Sequence, residues 1–136
     1  MLLLADTSAW HRAGRPAIAP RWQDRLRRGQ IATTEPVRLE LMYSAQTPNE
    51  HDRMSAELLA LPQLPATSQA FRRALEVQSL LAHLRPLHHR LPVTDLVIAA
   101  VAELHRATVW HYDADYDRIA EVTGQPVEWV APRGSL

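Results

Sequence analysis

Short apolar runs alternate with helix-like segments along all 136 residues of this chain, and acids stand where several runs stop. "MLLLAD" reads as a short buried strand ending at Asp6. "QIATT", "ATVWHYD" and "QPVEWV" read as further strands, and "PQLPAT" as a weak or edge strand because Pro65 cannot donate to a ladder. Between them lie helical patterns. "RWQDRLRRG" is closed by Gly29, and "TEPVRLELMYSA" starts from a cap at Thr34 with Pro36 in its first turn. "TPNEHDRMSAELLAL" is a further helix. "SQAFRRALEVQSLLAHL" places Phe71, Ala74, Leu75, Gln78 and Leu81 near one face. "LPVTDLVIAAVAELHRA" is a small-residue helix capped at Thr94, and "ADYDRIAEVTG" ends at Gly124. This alternation predicts an α/β domain with a parallel sheet and helices on both faces.

The length suits one domain, residues 1–136, with a core that needs no disulfide. There is no cysteine, which removes disulfides and thiolate metal sites and fits a cytoplasmic location. "MLLLA" is too short for a signal peptide, and no apolar run is long enough to span a membrane. Lys+Arg and Asp+Glu are both 15, so the net charge is zero, and every basic residue is an arginine. The charge is uneven. Arg12, Arg15, Arg21, Arg25, Arg27 and Arg28 stand against Asp24 in residues 11–28, whereas Asp113, Asp115, Asp117, Glu121 and Glu128 cluster near the end.

In a parallel sheet, ligands bind beyond the carboxyl ends of the strands. Asp6 and Asp113 belong at that edge. Asp95 opens the helix leading to the strand of Asp113, and Glu40 interrupts the apolar face of "VRLELMY". Each acid also has a structural reading, as a helix cap, a first-turn charge or a solvated ion-pair partner. Together they say more. Carboxylates gathered at one spot repel, so they hold protons or bind a cation. Oxygen ligands without Cys suit Mg²⁺, with Mn²⁺ as substitute. "HH" at 88–89 has no spaced third ligand for zinc, and His111 reads as a buried, hydrogen-bonded histidine.

At these residues the chain resembles a known family. "LLLADTSAW", "EPVRLELMYSA" and "VTDLVIAAVAELHRATVWHYDADYDRIAE" resemble, in order and spacing, the signature blocks of PIN-domain ribonucleases, in particular the VapC-type toxins of bacterial toxin–antitoxin pairs. The resemblance implies a PIN-like fold with a central five-stranded parallel sheet. It implies Mg²⁺-dependent cleavage of RNA, a homodimer, and a cognate antitoxin whose C-terminal segment occupies the active site. Asp6, Glu40, Asp95 and Asp113 match the family's four acids, and Asp115 a further acid that often joins them. Asp6, Asp95, Asp113 and Asp115 are thereby the expected metal ligands. Thr7, Ser8 and Thr94 match supporting hydroxyls. Tyr116 stands where Phe is common, and His111 where Thr or Ser is frequent.

On this reading Arg25, Arg27 and Arg28 guide the RNA backbone toward the acids. Two other readings compete: a metal-dependent DNA nuclease or phosphatase on a similar sheet, and a non-catalytic interaction module whose acids are caps. A phosphoacceptor receiver domain is disfavoured, because the chain has no lysine.

Overall fold

The computed structural model describes residues 1–136. In chain order the elements are β1 (Leu3–Ala5), α1 (Thr7–Trp10), α2 (Ala19–Arg27), β2 (Ile31–Ala32), α3 (Glu35–Met42) and α4 (Pro48–Leu59). Then come α5 (Ser68–Leu84), α6 (Val93–Leu104), β3 (Thr108–His111), α7 (Asp115–Thr123) and β4 (Val127–Trp129). The strands form one parallel sheet in the order β2-β1-β3-β4.

The sheet has four strands rather than five. The "PQLPAT" segment does run beside β2, but it makes one parallel bridge, Thr33 to Gln63. Thr33 N–H donates to Pro62 O at 3.0 Å, and Leu64 N–H donates to Thr33 O at 2.8 Å. Pro62 and Pro65 have no N–H to extend the ladder, so a fifth strand is reduced to this contact.

Alternation along the strands builds two cores. Leu4, Ala32 and Val109 face one side, where α3 to α7 cover them. Leu3, Ala5, Ile31 and Trp110 face the other, against Ala9, Ile18 and Trp22. There Trp22 stacks on Trp110, with ring centroids 5.2 Å apart. The large core centres on α6, whose residues 95–102 are all buried. Such a helix must be enclosed on every side, and α5 and β3 both pack against it.

Two local expectations change. On α5 the buried face is Ala70, Ala74, Val77 and Leu81. Phe71 and Leu75 are instead 50% and 66% exposed. The contact stripe is thus rotated from the expected one, and small residues at 70 and 74 let α5 approach α6. Helix α6 begins at Val93 with Pro92 as its cap residue, so Thr94 lies inside the first turn. Pro92 has no N–H to satisfy, and its carbonyl accepts from Asp95 N–H at 3.1 Å.

Candidate active site

The acids follow β1 and β3 at the carboxyl edge of the sheet. Asp6 comes directly after β1, and its N–H donates to Trp110 O at 3.1 Å. Asp6 Oδ1 accepts from Ser8 Oγ at 2.6 Å and from Ala9 N–H at 3.1 Å, which caps α1. The capping reading and the site reading of Asp6 are therefore compatible. Ser8 Oγ also accepts from Tyr112 N–H at 2.8 Å, tying the end of β1 to the end of β3.

The turn from β3 into α7 is held by its own polar groups. His111 Nδ1 accepts from Asp113 N–H at 3.1 Å, and Asp113 Oδ1 accepts from Asp115 N–H at 2.9 Å. Burial pushes the His111 imidazole down to about 4, against the pull of Asp117 and Asp113. It stays neutral, with its acceptor nitrogen turned to Asp113. Asp115 opens α7, where the helix dipole favours an acid. Asp95 arrives from the first turn of α6 and is 7% exposed.

One carboxylate oxygen from each of Asp95, Asp113 and Asp115 lies within 4.8 Å of the others. Burial pushes the Asp95 carboxyl up to about 7, and the charges of Asp113, Asp6 and Asp115 add to that. Asp6 is raised by burial, partly offset by its bonds from Ser8 and Ala9. Asp115 is raised by loss of water and then by Asp113. Asp95 Oδ2 is buried with no hydrogen-bond partner. An orphaned carboxylate oxygen beside two further acids fits a hard divalent cation.

Residues 3–122 match the PIN domain family. The chain belongs to that family. This PIN domain is 50% identical to Ribonuclease VapC18 of Mycobacterium tuberculosis, with all of both chains covered. It is 41% identical to Ribonuclease VapC51 of the same organism, over 98% of this chain and 96% of that one. Its VapC membership follows from these identities. Among solved structures, a chain of VapBC-5 from M. tuberculosis, a member of the VapBC family of toxin–antitoxin systems, aligns at 26% identity and TM-score 0.58, covering 95% of this chain and 98% of that one. DNA-bound VapBC from Salmonella typhimurium shares the fold, with TM-score 0.73 at 20% identity over 96% of this chain and 100% of that chain.

Within the PIN domain, Asp95, Asp113 and Asp115 converge, and Asp6 sits alongside, close enough for its charge to raise Asp95. Glu40 is not one of the three converging acids. Its Oε1 accepts from Thr7 Oγ1 at 3.0 Å, one residue after Asp6. Thr94 and Glu40 line a groove of about 330 Å³ whose other walls include Leu39, Phe71, Val93 and Val97.

Arg25, Arg27 and Arg28 are not brought to the acids. They end α2, which leads into the start of β2, at the opposite edge of the sheet. Arg25 Nη1 donates to Gln30 Oε1 at 3.0 Å, and Arg27 and Arg28 pair with Asp24 at 3.8 and 3.2 Å. Arg118 is the arginine whose charge reaches the acids, opposing the rise of Asp115; of the N-terminal arginines, the one bonded to Ser8, the partner of Asp6, is Arg12. Its Nη1 donates to Ser8 O at 3.0 Å, and its guanidinium lies 4.6 Å from the centre of the Tyr112 ring. Its signal was its spacing: four residues after Ser8, one helical turn on.

Sequence reasoning also passed over the Tyr116 hydroxyl. It is fully buried and donates to Asp95 Oδ1 at 3.3 Å. The signal was a phenol in place of a phenyl next to Asp115 and Asp117.

Proposed function

We infer that this VapC-family PIN domain is a metal-dependent endoribonuclease, the toxin of a toxin–antitoxin pair. The observation that carries the reading is the convergence of Asp95, Asp113 and Asp115, with one buried Asp95 oxygen left without a hydrogen-bond partner. Full-length likeness to proteins named ribonucleases supplies the reaction class. Asp95, Asp113 and Asp115 would hold Mg²⁺ or Mn²⁺, with Asp6 completing the negative wall. Such a cation, when bound, activates water and offsets charge on a phosphoryl centre.

The protein's own groups do the rest. Ser8 fixes Asp6 and joins the two strand ends. Thr7 orients Glu40, whose Oε2 is left to take a proton from the attacking water. Arg12, bonded to the Ser8 carbonyl, would offer a cation to the phosphate backbone.

Solved structures that share the fold include a toxin–antitoxin complex from Klebsiella pneumoniae. This chain would likewise pair with an antitoxin that silences it. An antitoxin tail would lie in the apolar groove beside Glu40 and Thr94 and place an Arg among the acids. A homodimer and a cytoplasmic location belong to the same proposal. No helix is long and apolar enough to cross a membrane.

The test is cleavage of end-labelled single-stranded RNA by the purified protein. RNA is cut with Mg²⁺ and left intact in EDTA or by Asp95→Asn. Cleavage undiminished in chelator would overturn the metal role. Cleavage of DNA alone would replace RNA as the substrate.

A further inference from the structure

We propose that Tyr116 is a positioning residue for the cation site: its hydroxyl claims Oδ1 of Asp95 and leaves Oδ2 as the oxygen that meets the metal. The inference rests on the cation-binding part of the proposed function and deepens it.

Tyr116 has no solvent exposure, and its ring packs against His111 with centroids 5.1 Å apart. A phenyl ring would fill that space equally well. A buried hydroxyl is costly unless it has a partner, so the phenol is explained by what it bonds. Its partner by distance and angle is Asp95 Oδ1 at 3.3 Å, and the Asp6 carboxyl also lies within its hydrogen-bonding reach. The second Asp95 oxygen has no partner.

The phenol has one proton, the geometry aims it at Asp95, and a carboxylate that binds metal is ionised and only accepts. One oxygen of Asp95 is therefore occupied and the other is free. Once ionised to meet a metal, the carboxylate is held as a single-oxygen ligand. The hydroxyl also sits between the charges of Asp6 and Asp95. Delivery is built into the chain. Tyr116 follows Asp115 in the first turn of α7, so one helix start presents both a ligand and the group that aims another ligand. Groups that orient metal ligands in this way typically change affinity 10–100-fold when removed.

The full-length protein is stripped of metal, and Mn²⁺ is titrated in without RNA, for the parent, Tyr116→Phe, Asp95→Asn and the double variant. Tyr116→Phe is expected to keep the parent's circular dichroism and bind Mn²⁺ roughly tenfold more weakly. In the Asp95→Asn background the same change should have little effect, because the oxygen it aims is gone. Excess Mn²⁺ should restore RNA cleavage by Tyr116→Phe, with KM for RNA unchanged. Equal Mn²⁺ affinity in parent and Tyr116→Phe overturns the proposal. So does an equal loss in both backgrounds. A crystal structure of the Mn²⁺-loaded parent gives a check that needs no variant to fold. Oδ2 on the metal and Oδ1 on the phenol support the proposal, and both Asp95 oxygens on the metal overturn it. A parent that binds no Mn²⁺ removes the cation site and this proposal with it. A parent that binds Mn²⁺ and leaves RNA intact removes the ribonuclease reading alone.

Discussion

The Ser8 hydroxyl donates to Asp6 Oδ1 at 2.6 Å while accepting the Tyr112 N–H at 2.8 Å. One small side chain thus sets the distance between the two strand ends that carry the acids. Ser8→Ala removes the donor to a buried carboxylate and leaves the Tyr112 N–H without its acceptor. The expected cost is ~1–3 kcal/mol of stability, read from urea unfolding in EDTA. Mn²⁺ affinity should fall as well, since Asp6 is no longer held. Unchanged stability and affinity would show that water replaces the hydroxyl without loss.

Asp95 makes metal-free stability depend on pH. In the folded protein its carboxyl keeps a proton up to about 7, against an ordinary value of 3.8. Between those values the folded state binds more protons than the unfolded state, so this contribution falls as pH rises from about 4 to about 7. His111 acts in the opposite sense. Its folded value is about 4 against 6.5, so its contribution rises with pH across that window. Comparing the parent with Asp95→Asn cancels the His111 effect. In EDTA the Asn variant should be more stable than the parent at pH 8, by at most roughly 4 kcal/mol, and the gap should close toward pH 4. Thermal unfolding across pH reads it. A gap that is constant with pH would remove the link to Asp95 ionisation.

The two arginine groups should separate cleanly. Arg12 adjoins Ser8 and Tyr112, whereas Arg25, Arg27 and Arg28 close α2 at the far edge of the sheet. Arg12→Ala should weaken binding of a short single-stranded RNA and lower the slope of log affinity against log salt. The Arg25, Arg27 and Arg28 triple alanine variant should leave that slope near the parent's for the same RNA. Their partner Asp24 already offsets part of their charge. A reversed result would mean that RNA reaches across the sheet to α2.

The alternation of runs and the acids at their ends made the sheet and the site edge legible. Asp6 and Asp113 needed only the rule that parallel strands end together. The joining of Asp115 to Asp95 and Asp113 came through the resemblance, since alternate acids at a helix start look like dipole partners. The fifth strand failed because two prolines limit a segment whose apolar pattern otherwise suits it. The α5 stripe was misread because Phe71 and Leu75 are strongly apolar, while the residues that pack on α6 include the small Ala70 and Ala74. The arginines were grouped by their closeness in sequence, but a helix and a turn divide them between opposite ends of the sheet. Tyr116 was hidden because the importance of one oxygen depends on what lies within hydrogen-bond reach of it.

Glu40 offers the last distinction, between ligand and base. Its carboxylate is tied to Thr7 Oγ1 at 3.0 Å and is not among the three acids that converge. A group so placed can orient or deprotonate water without holding the cation. Glu40→Gln keeps the size and can still accept from Thr7, but it cannot take up a proton. Turnover should fall by roughly 10²–10⁴-fold, while Mn²⁺ affinity stays near the parent's. Thr7→Val should give a smaller loss, because the Glu40 carboxylate remains and loses only the bond that orients it. Asp113→Asn should behave differently, losing Mn²⁺ affinity and turnover together. Mn²⁺ titration and single-turnover cleavage on the same preparations check all three. A loss of Mn²⁺ affinity in Glu40→Gln as large as in Asp113→Asn would make Glu40 a ligand and end its assignment as base.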